Sequence, residues 1–280
     1  MSIKITADST CDLLDIQLKR YDITLMPLYV NLGDRCLRDV VEATPEDIYA
    51  YVDSGKGMCS TSAGNIGDYT DLFEKYAGVS RAVIHISLSS ELSSSYQNAV
   101  LAAQEFENVY VVDSRNLSTG QGLVVLRAAS LAEEGKDADE IIEELKSFVP
   151  KVDASFVLNQ LEYLHRGGRC SGVVALGANL LKLKPCIEVK NGGMDVGKKY
   201  RGALAKCVES YVRDRLVDGG EIDPAVAFVT HSGLDEETVE LARKTVEACA
   251  DFREVVVTRA GCTISSHCGP GTLGVLFARK

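Results

Sequence analysis

The sequence predicts an α/β protein of two domains, residues 1–150 and 151–280, each a mostly parallel or mixed sheet flanked by helices. Three observations carry this. Short β-branched runs alternate with longer amphipathic stretches, the rhythm of βαβ units. At 280 residues with 46% hydrophobic side chains, the chain exceeds one ordinary domain and can bury a sizeable core. A helical stretch ends at Pro150, after which the apolar run Ala154–Leu158 starts the pattern again.

In the first half, β-branched runs predict strands over Ile3–Ala7 and Ile23–Val30. Apolar spacing predicts helices over Pro45–Val52 and Ile66–Tyr76, then a buried strand over Ala82–Leu88. Tyr96, Ala99, Leu101 and Ala102 begin a helix that runs to about Phe106, followed by the strand Val109–Asp113. Helices over Gly120–Glu134, ended by Gly135, and Asp137–Phe148, closed by Pro150, complete this half. The second half reads as a strand over Ala154–Leu158, a short helix to His165, the Gly-rich "HRGGRCSG" and a helix over Val173–Leu181. "CIEVKNGGMDVGKKYRG" predicts a hairpin turning at Asn191-Gly192-Gly193. A long helix to Leu216, the strand Ala225–Thr230, the helix Asp235–Ala250 and strands over Glu254–Thr258 and Leu273–Ala278 follow.

The formal net charge is −10, which removes the attraction that supplies most nucleic-acid affinity, so no nucleic-acid partner is expected. No apolar stretch reaches the roughly 18 residues of a membrane span, and "MSIKITADST" lacks the apolar region of a signal peptide. A cytoplasmic location is the expectation. The nine cysteines are scattered with no C-x-x-C pair, a pattern of reduced, buried thiols and not of disulfides or a metal site. Cys268, flanked by His267 and Gly269, is the one in a suspicious neighbourhood.

Two glycine motifs are incomplete. Gly192–Lys198 spells G-x-x-x-x-G-K, but Lys199 follows where a Ser or Thr would hold magnesium, and the glycines occupy a hairpin turn. "GQGLVV" at 120–125 lacks the third glycine of a dinucleotide fingerprint and reads as helix-start packing. No cofactor is expected from either. His85 lies within a strand pattern and reads as a core histidine.

"LSSELSSSYQNA" at 88–99 places hydroxyls between a buried strand and a helix, and "CSTSAGN" at 59–65 repeats this before the next predicted helix start. Helix N-termini carry unsatisfied N–H groups and partial positive charge, so flanking hydroxyls create an anion seat at the carboxyl ends of strands. The plainer reading is that Ser89, Ser90 and Ser93 cap the helix. Arg166 and Arg169, set around a glycine pair, and His267 in "SSHCGPGT" supply complementary groups from the second half. Ser93 and His267, with an acid, also permit a serine-dependent lipase or esterase, although no G-x-S-x-G elbow is present.

"DSTCDL" (8–13), "STS" (60–62), "LSSSYQNA" (92–99), "VVDSRNLSTGQG" (111–122), "LEYLHRGGRCSG" (161–172), "LKPCIEVKNGGM" (183–194) and "HCGPGTLG" (267–274) resemble, in order, the blocks of the DegV family. The resemblance implies a two-domain α/β protein holding one long-chain fatty acid, its carboxylate at the cleft between domains and its tail buried. It also implies no catalytic residues of its own. Similar members act as the FakB subunit of bacterial fatty acid kinase: they present the carboxylate to a separate kinase catalytic subunit and pass the acyl-phosphate to phospholipid synthesis, with at most transient membrane contact. Carried over, Thr61 and Ser93 match the carboxylate-binding threonine and serine, and His267 the histidine of the late "H-x-G-x-G" loop. Ser62 and Ser94 are neighbouring candidates. Arg169 matches the arginine of the "GGR" block, facing head group or kinase, and Arg201 a basic position after the hairpin. The chain departs from the family's usual "TSQPS" and "LSGTY" at Thr61–Asn65 and Leu92–Tyr96, and against that resemblance an altered entrance is the expectation.

Overall fold

A computed structural model describes residues 2–174, 183–217 and 220–280. The first half runs β1 (Ile3–Asp8), α1 (Asp15–Arg20), β2 (Thr24–Met26), β3 (Tyr29–Leu32), β4 (Arg35–Arg38), α2 (Pro45–Asp53), β5 (Ser60–Ser62), α3 (Ile66–Ala77), β6 (Ala82–Ser87), α4 (Ser95–Ala103), β7 (Val109–Asp113), α5 (Ser118–Glu133) and α6 (Ala138–Phe148). The second runs β8 (Val152–Val157), α7 (Glu162–Gly167), α8 (Ser171–Val174), β9 (Leu183–Lys190), β10 (Gly193–Arg201), α9 (Leu204–Val217), β11 (Ile222–Ser232), α10 (Glu236–Cys249), β12 (Val255–Arg259), α11 (Cys262–Cys268) and β13 (Thr272–Arg279). The fold is α/β, with parallel and mixed sheets flanked by helices.

Strands of the first half form the parallel sheet β2-β1-β6-β7. Every residue of β6 is buried, as a parallel strand covered on both faces requires. Ile84 and Ile86 pack toward α5, while Val83 packs with Tyr69 and Phe73 of α3 and Ala99 and Ala102 of α4. Strands of the second half form the mixed sheet β10-β9-β8-β13-β11-β12, in which only β11 and β12 pair parallel. Pro150 lies between the last strand of one sheet and the first of the other.

One core joins the halves. Helix α5 is buried on most of its surface, and its Leu123, Val124 and Ala128 belong to a cluster containing Ile5 and Ile84 from one sheet and Ala154, Phe228 and Leu276 from the other. Its glycines permit that closeness: a Cβ on Gly122 would stand 2.7 Å from the Cys11 carbonyl, and one on Gly120 would stand 2.2 Å from Asn116 Oδ1.

Several elements differ from the sequence reading, and others stand as expected or lie outside the described residues. The expected strand Ile23–Val30 is two: β2 joins the parallel sheet, and β3 joins a separate antiparallel sheet β4-β3-β5. Pro27 separates them, since it cannot donate to a ladder. Helix α11, unforeseen, is buried at six of its seven residues and so shows no polar stripe. Helix α1, six residues long, is likewise absent from the sequence reading. Of the helix expected over Val173–Leu181, positions 175–181 lie outside the described residues. The G-x-x-x-x-G-K stretch lies in the antiparallel β9–β10 hairpin, without the helix that a phosphate loop opens.

Candidate functional site

The small sheet β4-β3-β5 positions Thr61, which pairs with Val30 of β3. Thr61 and Ser62 therefore stand on a short strand and not at a helix start, and the α3 amide of Asp68 is capped by Asn65 at 3.1 Å instead. Opposite lies α11, held at its first turn by two carboxylates of the first half. Asp39 accepts from Cys262 N at 2.8 Å and Thr263 N at 3.3 Å, and it also accepts from Ser9 Oγ at 3.0 Å. Asp12 accepts from Gly261 N at 2.8 Å and Ser118 Oγ at 2.6 Å. Burial pushes the Asp12 carboxyl up to about 7, against the lowering effect of those two donors.

So anchored, α11 sets His267 Nε2 2.8 Å from Thr61 Oγ1. Burial first, and the Arg169 charge second, push the imidazole down to about 4, so it is neutral at pH 7. Its Nδ1 is buried without a partner against Gly167, where a Cβ would come within 2.3 Å. An orphaned lone pair is less costly than an orphaned N–H, which assigns the ring proton to Nε2, donating to Thr61 Oγ1. The Thr61 hydroxyl proton is then free for an acceptor in the cavity.

Thr61, Ser62, Ser93, Arg169 and His267 all line one cavity. The rest of its wall is mainly apolar: Leu28, Leu88 and Leu117 from the first half, Met194 and Ile264 from the second. A second, smaller cavity shares the lining residues Leu117, Ile264 and Cys268 with it and is walled further by Phe156, Val189 and Leu276. Burial pushes the Cys268 thiol up to about 12, and all nine cysteines are free. That leaves a packing thiol and not a nucleophile.

Ser93 Oγ lies 2.9 Å from Ser95 Oγ and accepts from Ser95 N at 3.2 Å, so it also engages the first turn of α4. Ser62 Oγ accepts from Asn31 Nδ2 at 3.0 Å. Arg169 donates through Nη1 to Gly167 O at 2.7 Å and leaves its exposed head at the cavity mouth. Two candidates fall elsewhere. Ser94 is exposed at the α4 N-cap without a side-chain bond, since the helix turns it outward. Arg201 is exposed at the end of β10, opposite Leu183, and does not line the cavity. Ser89 turns away to donate to Gly192 O at 2.7 Å.

Sequence reasoning missed Asp12, Asp39 and Thr263, and it marked the glycine pair at 167–168 without its packing against His267. No local pattern marks a carboxylate that will cap a helix more than two hundred residues away. The pairing of β3 with β5 and the placing of α11 create these contacts. His85 is fully buried with Nδ1 3.0 Å from Thr6 Oγ1 and Nε2 3.3 Å from Asp8 Oδ1. A nucleophile–base–acid chain is not assembled: Ser93 is bonded to Ser95, His267 to Thr61, and no carboxylate meets His267 Nδ1 among the described residues. Also among the described residues, no cluster of three or more His, Cys, Asp or Glu is placed to hold a metal ion. No described helix is long and apolar enough to cross a membrane.

Fold and site define an α/β protein with a largely apolar cavity lined at one end by hydroxyls and a neutral imidazole. Residues 2–280 match the model of an uncharacterised protein family, DegV. The chain is 33% identical to a DegV domain-containing protein of Clostridium acetobutylicum over 99% of both. It is 31% identical to a protein of Thermotoga maritima named a fatty acid-binding protein, over 98% of this chain and 96% of that one. A solved structure of a DegV family protein from Thermus thermophilus, described by its fatty acid binding, superposes with a TM-score of 0.91 at 34% identity over 100% of both chains. The chain belongs to the DegV family.

Proposed function

We propose that this chain is a non-catalytic carrier of one long-chain fatty acid. The carboxylate is held by Thr61, Ser93 and His267, with Ser62 beside them and Arg169 at the mouth, and the tail runs along the apolar side chains that line the two cavities. The observation that carries the reading is the Thr61–His267 bond at the polar end of an otherwise apolar cavity. A tail gains about 0.8 kcal/mol per buried methylene, whereas a buried carboxylate without donors would protonate. A free Thr61 proton, the Ser93 hydroxyl and a nearby guanidinium meet that need. The related proteins of Thermotoga maritima and Thermus thermophilus, described as fatty-acid binding, support the ligand class.

The carrier presents its carboxylate to a separate fatty acid kinase subunit, which forms the acyl-phosphate in the cytoplasm for phospholipid synthesis. The division of the chain into domains at Pro150, with the ligand between them, belongs to the same proposal. Mass spectrometry of lipid extracted from the purified protein tests the carrier reading: a stoichiometric straight-chain acid is expected. A lipid-free protein that binds neither palmitate nor oleate overturns it. Phosphorylation of the bound acid only when a kinase subunit and ATP are added tests the second step.

A further inference from the structure

One residue that lines the first cavity carries a buried hydroxyl that no group among the described residues uses. Thr263 is 4% exposed and lines the cavity with Leu28, Leu88 and Ile264, and its Oγ1 is buried without a hydrogen-bond partner. Its amide is already taken by Asp39. A threonine deep in a helix can fall back on the carbonyl one turn earlier, but Thr263 is the second residue of α11. The preceding Ala260 carbonyl accepts from Ser265 Oγ at 3.2 Å. Valine would fill the same volume without an unpaired polar atom, so the fold gains nothing from the oxygen.

Its position says what it would meet. Thr263 and His267 are separated by one helical turn and share a face of α11, so their backbone positions stand about 6 Å apart along the helix axis. The hydroxyls of Thr61, Ser62 and Ser93 each have a partner at the polar end. A ligand whose carboxylate sits there passes Thr263 a few carbons along its chain.

The geometry points to Thr263 as a second polar contact for the ligand, one that fits an acid carrying a hydroxyl a few carbons from its carboxylate, a β-hydroxy fatty acid. A threonine hydroxyl both donates and accepts, and so does the ligand hydroxyl, so a single bond satisfies each. A plain methylene there leaves Oγ1 unpaired. The inference rests on the fatty-acid reading above and narrows it.

The test measures Kd for palmitate and β-hydroxypalmitate with lipid-stripped wild-type protein, Thr263→Val and Thr263→Ser. Thr263→Val is expected to raise the ratio of the β-hydroxypalmitate Kd to the palmitate Kd at least about fivefold over wild type. Thr263→Ser keeps the hydroxyl and the wild-type ratio, and Thr263→Ala, which removes the hydroxyl, is expected to show the same rise in ratio should the valine variant fail to fold. An unchanged ratio in Thr263→Val, or a changed one in Thr263→Ser, overturns the inference. So does equal weakening of both acids in Thr263→Val, which would assign the hydroxyl to the carboxylate. If wild type binds neither acid, the fatty-acid reading falls and this one with it.

Discussion

His267 is kept neutral by enclosure and by a guanidinium nearby, and it is kept in place by the absence of a side chain at Gly167. A methyl group there would stand 2.3 Å from Nδ1 and push the ring off Thr61. Gly167→Ala is therefore expected to weaken fatty-acid binding at least about fivefold, the worth of one hydrogen bond, with little loss of helix, since alanine is the better helix former. Isothermal titration beside circular dichroism separates the two effects. Thr61→Val and Ser93→Ala each remove a donor to a charged group and should each cost about 1.5–3 kcal/mol of ligand affinity. Unchanged titration curves for both would remove the carboxylate from this end of the cavity.

Helix α11 carries opposed titrations near its two ends. Asp12, at its start, keeps its proton to about 7, so the folded state binds more protons than an unfolded carboxyl of 3.8. That group contributes stability below about pH 4, lost as the pH rises through 7. His267, at its end, is depressed from 6.5 to about 4, so the unfolded chain binds the extra proton in that interval. Its contribution is present above about pH 6.5 and lost as the pH falls through 4. The two slopes oppose each other across the same window. Asp12→Asn should leave a urea midpoint that climbs from pH 4 to 7, and His267→Gln one that declines. Parallel profiles for the two variants would contradict the assignment. Neither end of this helix was legible locally: Gly261 and Gly269 bracket it, but residues buried on all sides leave no periodic stripe, and "SSHCGPGT" reads as a loop.

Across the whole molecule, α5 serves both large sheets, so the halves share apolar contacts that neither could keep alone. One cooperative urea transition is expected by circular dichroism and tyrosine fluorescence alike, and Leu131→Ala, 2% exposed in that core, should lower it by about 2–5 kcal/mol without splitting it. Two resolved transitions would show halves that fold independently. The alternation of β-branched runs with amphipathic stretches determined the α/β class, because side-chain periodicity depends only on local backbone geometry. Hydroxyl clusters, a glycine-flanked arginine and a late histidine were visible by residue type and spacing. Only the tertiary structure decided which of them meet. Thr61 reaches His267 because β5 pairs with β3 and α11 is clamped by Asp12 and Asp39, contacts spanning two hundred residues that no local pattern encodes. Ser94 and Arg201 carry the same chemistry yet point elsewhere, since helix phase and strand end, and not residue type, set the direction of a side chain.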